Sequence, residues 1–166
     1  MLETERLRLR EITVDDADFI VAQLNDPDFI RNVADRGVRT AAAARSYIMD
    51  GPVASYDRHG FGLYLVELKD SRTPIGICGL IKRDALDDVD IGFAFLPAHR
   101  AQGFAREAAR AVIAFARALG LARVVAIVSA HNADSLKLLD RLGFGYERRI
   151  RLADGAEELQ LFGLAP

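Results

Sequence analysis

No tryptophan, one cysteine and three histidines occur among the 166 residues, and these scarcities narrow the chemistry before any motif is read. A lone thiol, Cys78, rules out an internal disulfide and any cysteine-cluster metal site, and it fits a reducing compartment; the expected location is the cytoplasm. His59, His99 and His131 stand apart along the chain, and neither His-Glu-x-x-His nor Gly-x-Ser-x-Gly occurs, which argues against zinc and against a serine-hydrolase triad; no metal is expected. A Walker-type phosphate loop is absent as well. The two Gly-x-Gly triplets, at 60–62 and 143–145, lack the third glycine of a dinucleotide fingerprint, so neither cradles a dinucleotide. No apolar run approaches the roughly 18 residues of a membrane span, and the first residues are acidic with no apolar segment, so neither insertion nor secretion is expected. Lysine is rare, three residues against nineteen arginines, but 22 cations meet 24 anions for a formal charge of −2. No global field therefore draws the chain to nucleic acid or to an anionic membrane.

What is present is the profile of one compact domain over 1–166: 51% hydrophobic and 28% charged residues, with thirteen glycines and five prolines scattered rather than pooled. Area scaling allows a chain of this size to bury about 70% of its extended surface. Leu7 and Leu9 alternate with arginines as in a half-buried strand. Thr13, Asp15 and Asp16 then open a helix carrying Ala17, Phe19, Ile20, Val21 and Leu24. Residues 25–39 read as polar and irregular, and a second helix is expected over 40–49, stopped by Gly51-Pro52. Segments 61–68 and 75–82 pair as a hairpin, and a third strand carries Val89, Ile91, Phe93 and Phe95 on one face and Asp90, Gly92 and Ala94 on the other, until Pro97 ends the ladder. Phe104, Ala108, Ala111, Val112, Phe115 and Leu119 recur at helical spacing up to Gly120. A short interior strand is expected over 123–129, then a helix capped by Asn132 and ended by Gly143, and a final hairpin around Asp154-Gly155. Strands followed by helix, strand, helix and hairpin imply an α/β (α+β) layer: a mixed, mostly antiparallel central sheet flanked by about four helices.

The stretch with chemical content is the loop Arg100-Ala101-Gln102-Gly103-Phe104-Ala105, because it opens the longest helix directly after a strand. A helix start presents unpaired N–H groups and a positive dipole end, so backbone alone can bind a pyrophosphate, with Gly103 and Ala105 allowing close approach and Arg100 adding a charged donor. Taken by itself the hexapeptide reads first as a tight turn that needs one small residue, and only its context raises the phosphate signal. Cys78 reads as core, His99 as a surface turn, and Glu107 as the partner of Arg110 across one helical turn.

In combination these motifs resemble a known family. Arg-x-x-Gly-x-Ala after an Ile-Gly-Phe strand, Asn132-x-x-Ser135, and Leu142-Gly143-Phe144 look like the GNAT acetyltransferases. The opening Glu3-Thr4-Glu5-Arg6-Leu7-Arg8-Leu9-Arg10 and Asp15-Asp16-Ala17 are similar to the RimJ/RimL-like ribosomal-protein N-terminal acetyltransferases. The resemblance implies a sheet splayed at the strand before the loop. It implies a coenzyme A pyrophosphate on the amides of Gln102, Gly103, Phe104 and Ala105, with Ala101 in the same loop and Arg100 alongside. Pantetheine would run along Phe93, Ala94 and Phe95, with Asn132 and Ser135 facing its arm and sulfur. The implied reaction is direct transfer of acetyl from acetyl-CoA to an amine, either a protein N-terminus or a small molecule, with the chain a monomer or homodimer. Where many family members place a glutamate and a tyrosine, this chain has Ile127 and Leu139. Ser135 is therefore expected near the leaving sulfur, and for the base only Asp90, otherwise a solvated strand carboxylate, or a bound water is available. The same two residues leave open the alternative of a non-catalytic acyl-CoA-binding module. The acceptor pocket is expected from 25–39, the second helix and the last hairpin, the last of which carries Arg148, Arg149 and Arg151.

Overall fold

The computed structural model describes residues 1–166. Eight strands, β1 (Leu2–Glu3), β2 (Leu7–Glu11), β3 (Leu63–Leu68), β4 (Pro74–Ile81), β5 (Asp90–Phe95), β6 (Val124–Val128), β7 (Gly145–Ile150) and β8 (Leu159–Leu164), form one sheet in the order β1-β2-β3-β4-β5-β6-β8-β7. All neighbours are antiparallel except β5 and β6, which are parallel and joined at a single register pair, Asp90 with Val125. Six α-helices lie on the sheet: α1 (Ala17–Leu24), α2 (Pro27–Asn32), α3 (Ala41–Ile48), α4 (Ala54–His59), α5 (Phe104–Ala118) and α6 (Ala133–Leu142).

The middle strands are buried on both faces, which is why β3 and β4 read as nearly continuous apolar runs. Tyr64, Val66, Cys78, Leu80, Ile91 and Phe95 belong to the core beneath α5, where Ala108, Ala109, Val112 and Ala116 are fully covered. Small residues at those four positions let the helix lie close to the sheet. Leu65 and Ile77 point the other way, into a second core with Ile20 and Leu24 of α1 and Ala44 and Ile48 of α3. Cys78 is fully enclosed, and burial pushes its thiol well above the usual range.

Two local expectations are corrected. Residues 25–39 are not wholly irregular: Asp26 accepts a hydrogen bond from the Phe29 amide, Pro27 occupies the first helical position, and together they nucleate α2. Gly51-Pro52 does not stop the second helix. The chain widens into a π-helical turn over Met49–Val53 that takes in the buried Pro52, continues as α4, and ends only at Gly60, which is left-handed at φ 75°. A wider turn frees the position of the missing proline N–H from the ordinary helical ladder. Thr40 does open α3 as expected, accepting from the Ala43 amide at 3.1 Å.

Gly79 fixes how closely β3 and β4 approach. A Cβ there would lie 2.1 Å from the Gly62 carbonyl oxygen and 2.7 Å from Leu63 Cα, both backbone atoms. Gly79→Ala should therefore lower stability by about 1–3 kcal/mol, the range for overpacking, measured as a fall in the denaturation midpoint with an unchanged slope.

Candidate active site

Past Asp90 and Val125 the parallel strands diverge, leaving one edge of β5 and one edge of β6 without a strand partner. Both are held rigidly from outside, β5 by six register pairs with β4 and β6 by five with β8. The wedge between them opens into a cavity of about 240 Å³. Ile91, Phe93 and Ala94 line it from β5, Ala126, Ile127 and Val128 from β6, and Ser129, Asn132, Ser135 and Leu139 from the turn and helix that follow. Phe95 instead packs into the core below α5.

At the mouth of the wedge lies the loop into α5. Ala101 (φ 58°) and Gly103 (φ 82°) are both left-handed, a backbone arrangement that turns amides into an anion-binding concavity. The amides of Ala101, Gln102, Gly103, Phe104, Ala105 and Arg106 donate to no protein acceptor; the first helical bond is that of Glu107 to the Gly103 carbonyl at 3.1 Å. Six free donors at the start of a 15-residue helix make a seat for an anion.

The cation beside this loop is one that spacing does not reveal. Arg6, from the turn before β2, donates Nη1 to the Gln102 carbonyl at 3.0 Å, pairs Nε with Glu107 at 2.7 Å, and lies 4.3 Å from the centre of the Phe104 ring. Glu107 also accepts from the Arg6 amide and from Thr4, so it ties β2 to α5 and does not bond Arg110. Arg100, expected over the loop, is engaged elsewhere: Nε donates to the Phe95 carbonyl at 2.9 Å, and its two Nη groups pair with Asp26, which caps α2, and with Asp28 in its first turn.

These contacts make α2 a strap across the wedge. Its start is held by Arg100 from beyond β5, and its end by Ser129 from beyond β6, whose hydroxyl donates to the Asn32 carbonyl at 3.4 Å. The strap and the residues after it present Phe29, Asn32, Val33, Ala34 and Arg36 to the cavity. Tyr47 of α3 and Leu152 and Leu159 of the last hairpin complete that side, so each of the three segments expected around an acceptor contributes.

Asp90 stands where β5 and β6 part. It is 1% exposed, so it is not a solvated strand carboxylate. Burial pushes its carboxyl up to about 6, against the pull of Arg83, whose Nε donates to Oδ1 at 3.0 Å. Asn132 caps α6 by accepting from the Ser135 amide at 3.3 Å, and the Ser135 hydroxyl has no protein partner.

The residues from 6 to 145 match the model of the acetyltransferase (GNAT) domain. The chain belongs to the GNAT acetyltransferase family. Among its relatives is the uncharacterized N-acetyltransferase YoaA of Bacillus subtilis (strain 168), 31% identical over 156 residues that cover 91% of this chain and 86% of that protein. A GNAT-family acetyltransferase structure from Bordetella pertussis superposes with a TM-score of 0.81 at 27% identity, covering 99% of this chain and 98% of that one. RimL, described as a ribosomal L7/L12 alpha-N-protein acetyltransferase in complex with coenzyme A, superposes with a TM-score of 0.83 at 14% identity, covering 98% and 95%. The last likeness concerns the fold alone. As a GNAT enzyme the chain is an acetyl-CoA-dependent acetyltransferase. Ile127 and Leu139, the apolar pair singled out in the sequence, both line the cavity.

The raised Asp90 carboxyl has a consequence for stability. The folded state keeps the proton up to about pH 6, whereas the unfolded chain releases it near 3.8, so between those values the folded state binds more protons and stability falls as pH rises. Above the window the loss is complete. Asp90→Asn should flatten this limb in denaturation midpoints measured from pH 4 to pH 7.

Proposed function

We propose that the chain transfers the acetyl group of acetyl-CoA to an amine, a protein N-terminal α-amine or the amine of a small molecule, by direct attack. The amine nitrogen bonds the thioester carbonyl carbon, the carbon–sulfur bond breaks, the amine loses a proton, and the coenzyme leaves as thiol. The supporting observation is the continuity of one wedge: six unpaired amides at its mouth and a buried carboxylate at its root, joined by the unpaired edge of β5.

The amides of Ala101, Gln102, Gly103, Phe104 and Ala105 receive the pyrophosphate, with Arg6 as the neighbouring cation. Arg100 acts one step away, holding α2 over the wedge and bracing the Phe95 carbonyl at the end of β5. Phe93, Ala94 and Phe95 offer main-chain groups to the pantetheine arm. Asn132 fixes the first turn of α6, and Ser135 donates its hydroxyl to the departing sulfur. Above about pH 6 Asp90 is a carboxylate and takes the proton of the incoming amine, directly or through water. An α-amine titrates near 8 and lysine near 10.4, so a carboxylate of this strength suits the weaker base of the two.

Acetyl-CoA should raise the melting temperature and release free thiol with at least one member of a panel of N-terminal peptides and small amines. Absence of thiol with every acceptor would sink the proposal. Ser135→Ala should lower kcat on the order of 10²-fold, as loss of a positioned proton donor does, while acetyl-CoA affinity stays constant; equal loss of both would remove Ser135 from the chemistry. The kcat/KM profile should fall on the acid side near pH 6, and Asp90→Asn should abolish that limb.

A further inference from the structure

The acceptor side of the cavity has an uneven polar lining. Its ionisable groups there are Arg36, Arg83, Tyr47 and Asp90, with Asp90 the only carboxylate among all the lining residues. Arg36 follows the strap and has neither an ion pair nor a hydrogen-bond partner; the adjacent carboxylate, Asp35, is committed to Arg39 through two contacts of 2.8 Å. Arg83 uses Nε alone, on Asp90, and leaves both Nη groups without an acceptor. The Tyr47 hydroxyl is likewise unpaired and lines the same cavity as Arg36 and Arg83; burial raises its pKa, and the charges of the two arginines act in the opposite sense. Two cations against one anion leave this end of the cavity positive, and apart from Asp90 every ionisable group facing it is a donor.

We propose that the acceptor is an amine that also carries a carboxylate, the carboxylate held by Arg36 and the free Nη edge of Arg83 and the amine directed to Asp90; this rests on the acetyltransferase function proposed above. Arg83 then has two tasks along one guanidinium. Its Nε edge holds the Asp90 carboxylate, and its Nη edge faces the substrate anion, so the amine and the carboxylate of the acceptor lie on opposite sides of a planar fork. A polycation such as spermidine meets two guanidiniums along the cavity lining, with only Asp90 to offset them. Electrostatic selection of this kind separates substrates by rejecting the wrong charge as much as by binding the right one.

The test compares near-isosteric peptides, Asp-Ala-amide against Asn-Ala-amide, with kcat/KM referred to the free-amine fraction of each and spermidine as the cationic control, by thiol release from acetyl-CoA. The expected result is a kcat/KM at least tenfold higher for the aspartyl peptide, carried mainly by KM, with spermidine poorest. Arg36→Gln should raise KM for Asp-Ala-amide about tenfold and leave Asn-Ala-amide unchanged, and Arg36→Lys should restore part of the difference. Equal use of the two peptides, preference for spermidine, or an Arg36→Gln loss common to both peptides would overturn the carboxylate proposal while leaving the acetyltransferase in place. If none of the three acceptors releases thiol but other amines do, the carboxylate proposal alone falls. If no amine releases thiol at all, both fall together.

Discussion

Everything at the candidate site follows from one interrupted pairing. β5 and β6 run parallel, meet at Asp90 and Val125, and then separate. Separation leaves main-chain groups on two strand edges without partners, and such groups are costly unless water or a ligand satisfies them. The arrangement persists because each strand is secured on its far side, β5 by the full ladder to β4 and β6 by the ladder to β8. Free donors at the loop before α5 continue the same condition beyond the end of β5, so backbone awaiting partners extends from the root of the wedge to its mouth.

Charge is distributed to keep that opening in shape. Arg100 ties the start of α2 to the end of β5, Glu107 ties the turn before β2 to the first turn of α5, and Arg6 lies over the Phe104 ring with one donor on the Gln102 carbonyl. These guanidiniums are partly desolvated and multiply bonded, so they hold backbone segments in place more firmly than exposed pairs do. At the root of the wedge the balance is different. Asp90 is almost completely enclosed, Arg83 offsets only part of the cost, and burial pushes the carboxyl up to about 6.

Much of this was legible along the chain. The amphipathic period of α5, the Asn132 cap, the Pro97 strand end and the Asp154-Gly155 hairpin are local signals, each depending on residues a few positions apart, and each of these elements forms. The loop before α5 was legible for the same reason: a glycine and an alanine at a helix start follow from local backbone requirements. At two places a local rule has two outcomes. Pro52 normally ends a helix, but burial of its ring and a widened turn carry the chain onward to Gly60. Asp26-Pro27 is a helix start that was hidden inside a polar stretch.

Spacing in the sequence thus determined the order of strands and helices, the α5 loop and the family, because hydrogen-bonding periodicity and capping act over a turn or two of chain. Tertiary structure alone decided which charges meet. Arg6 reaches Glu107 across about a hundred residues, Arg100 turns from the loop to α2, Asp90 is sealed rather than solvated, and Arg36 is left unpaired in the cavity that Arg83 and Tyr47 also line. An arginine has a long reach and many carboxylates to choose from, and its partner is set by which strands the sheet brings side by side, a relation that no short window of sequence contains.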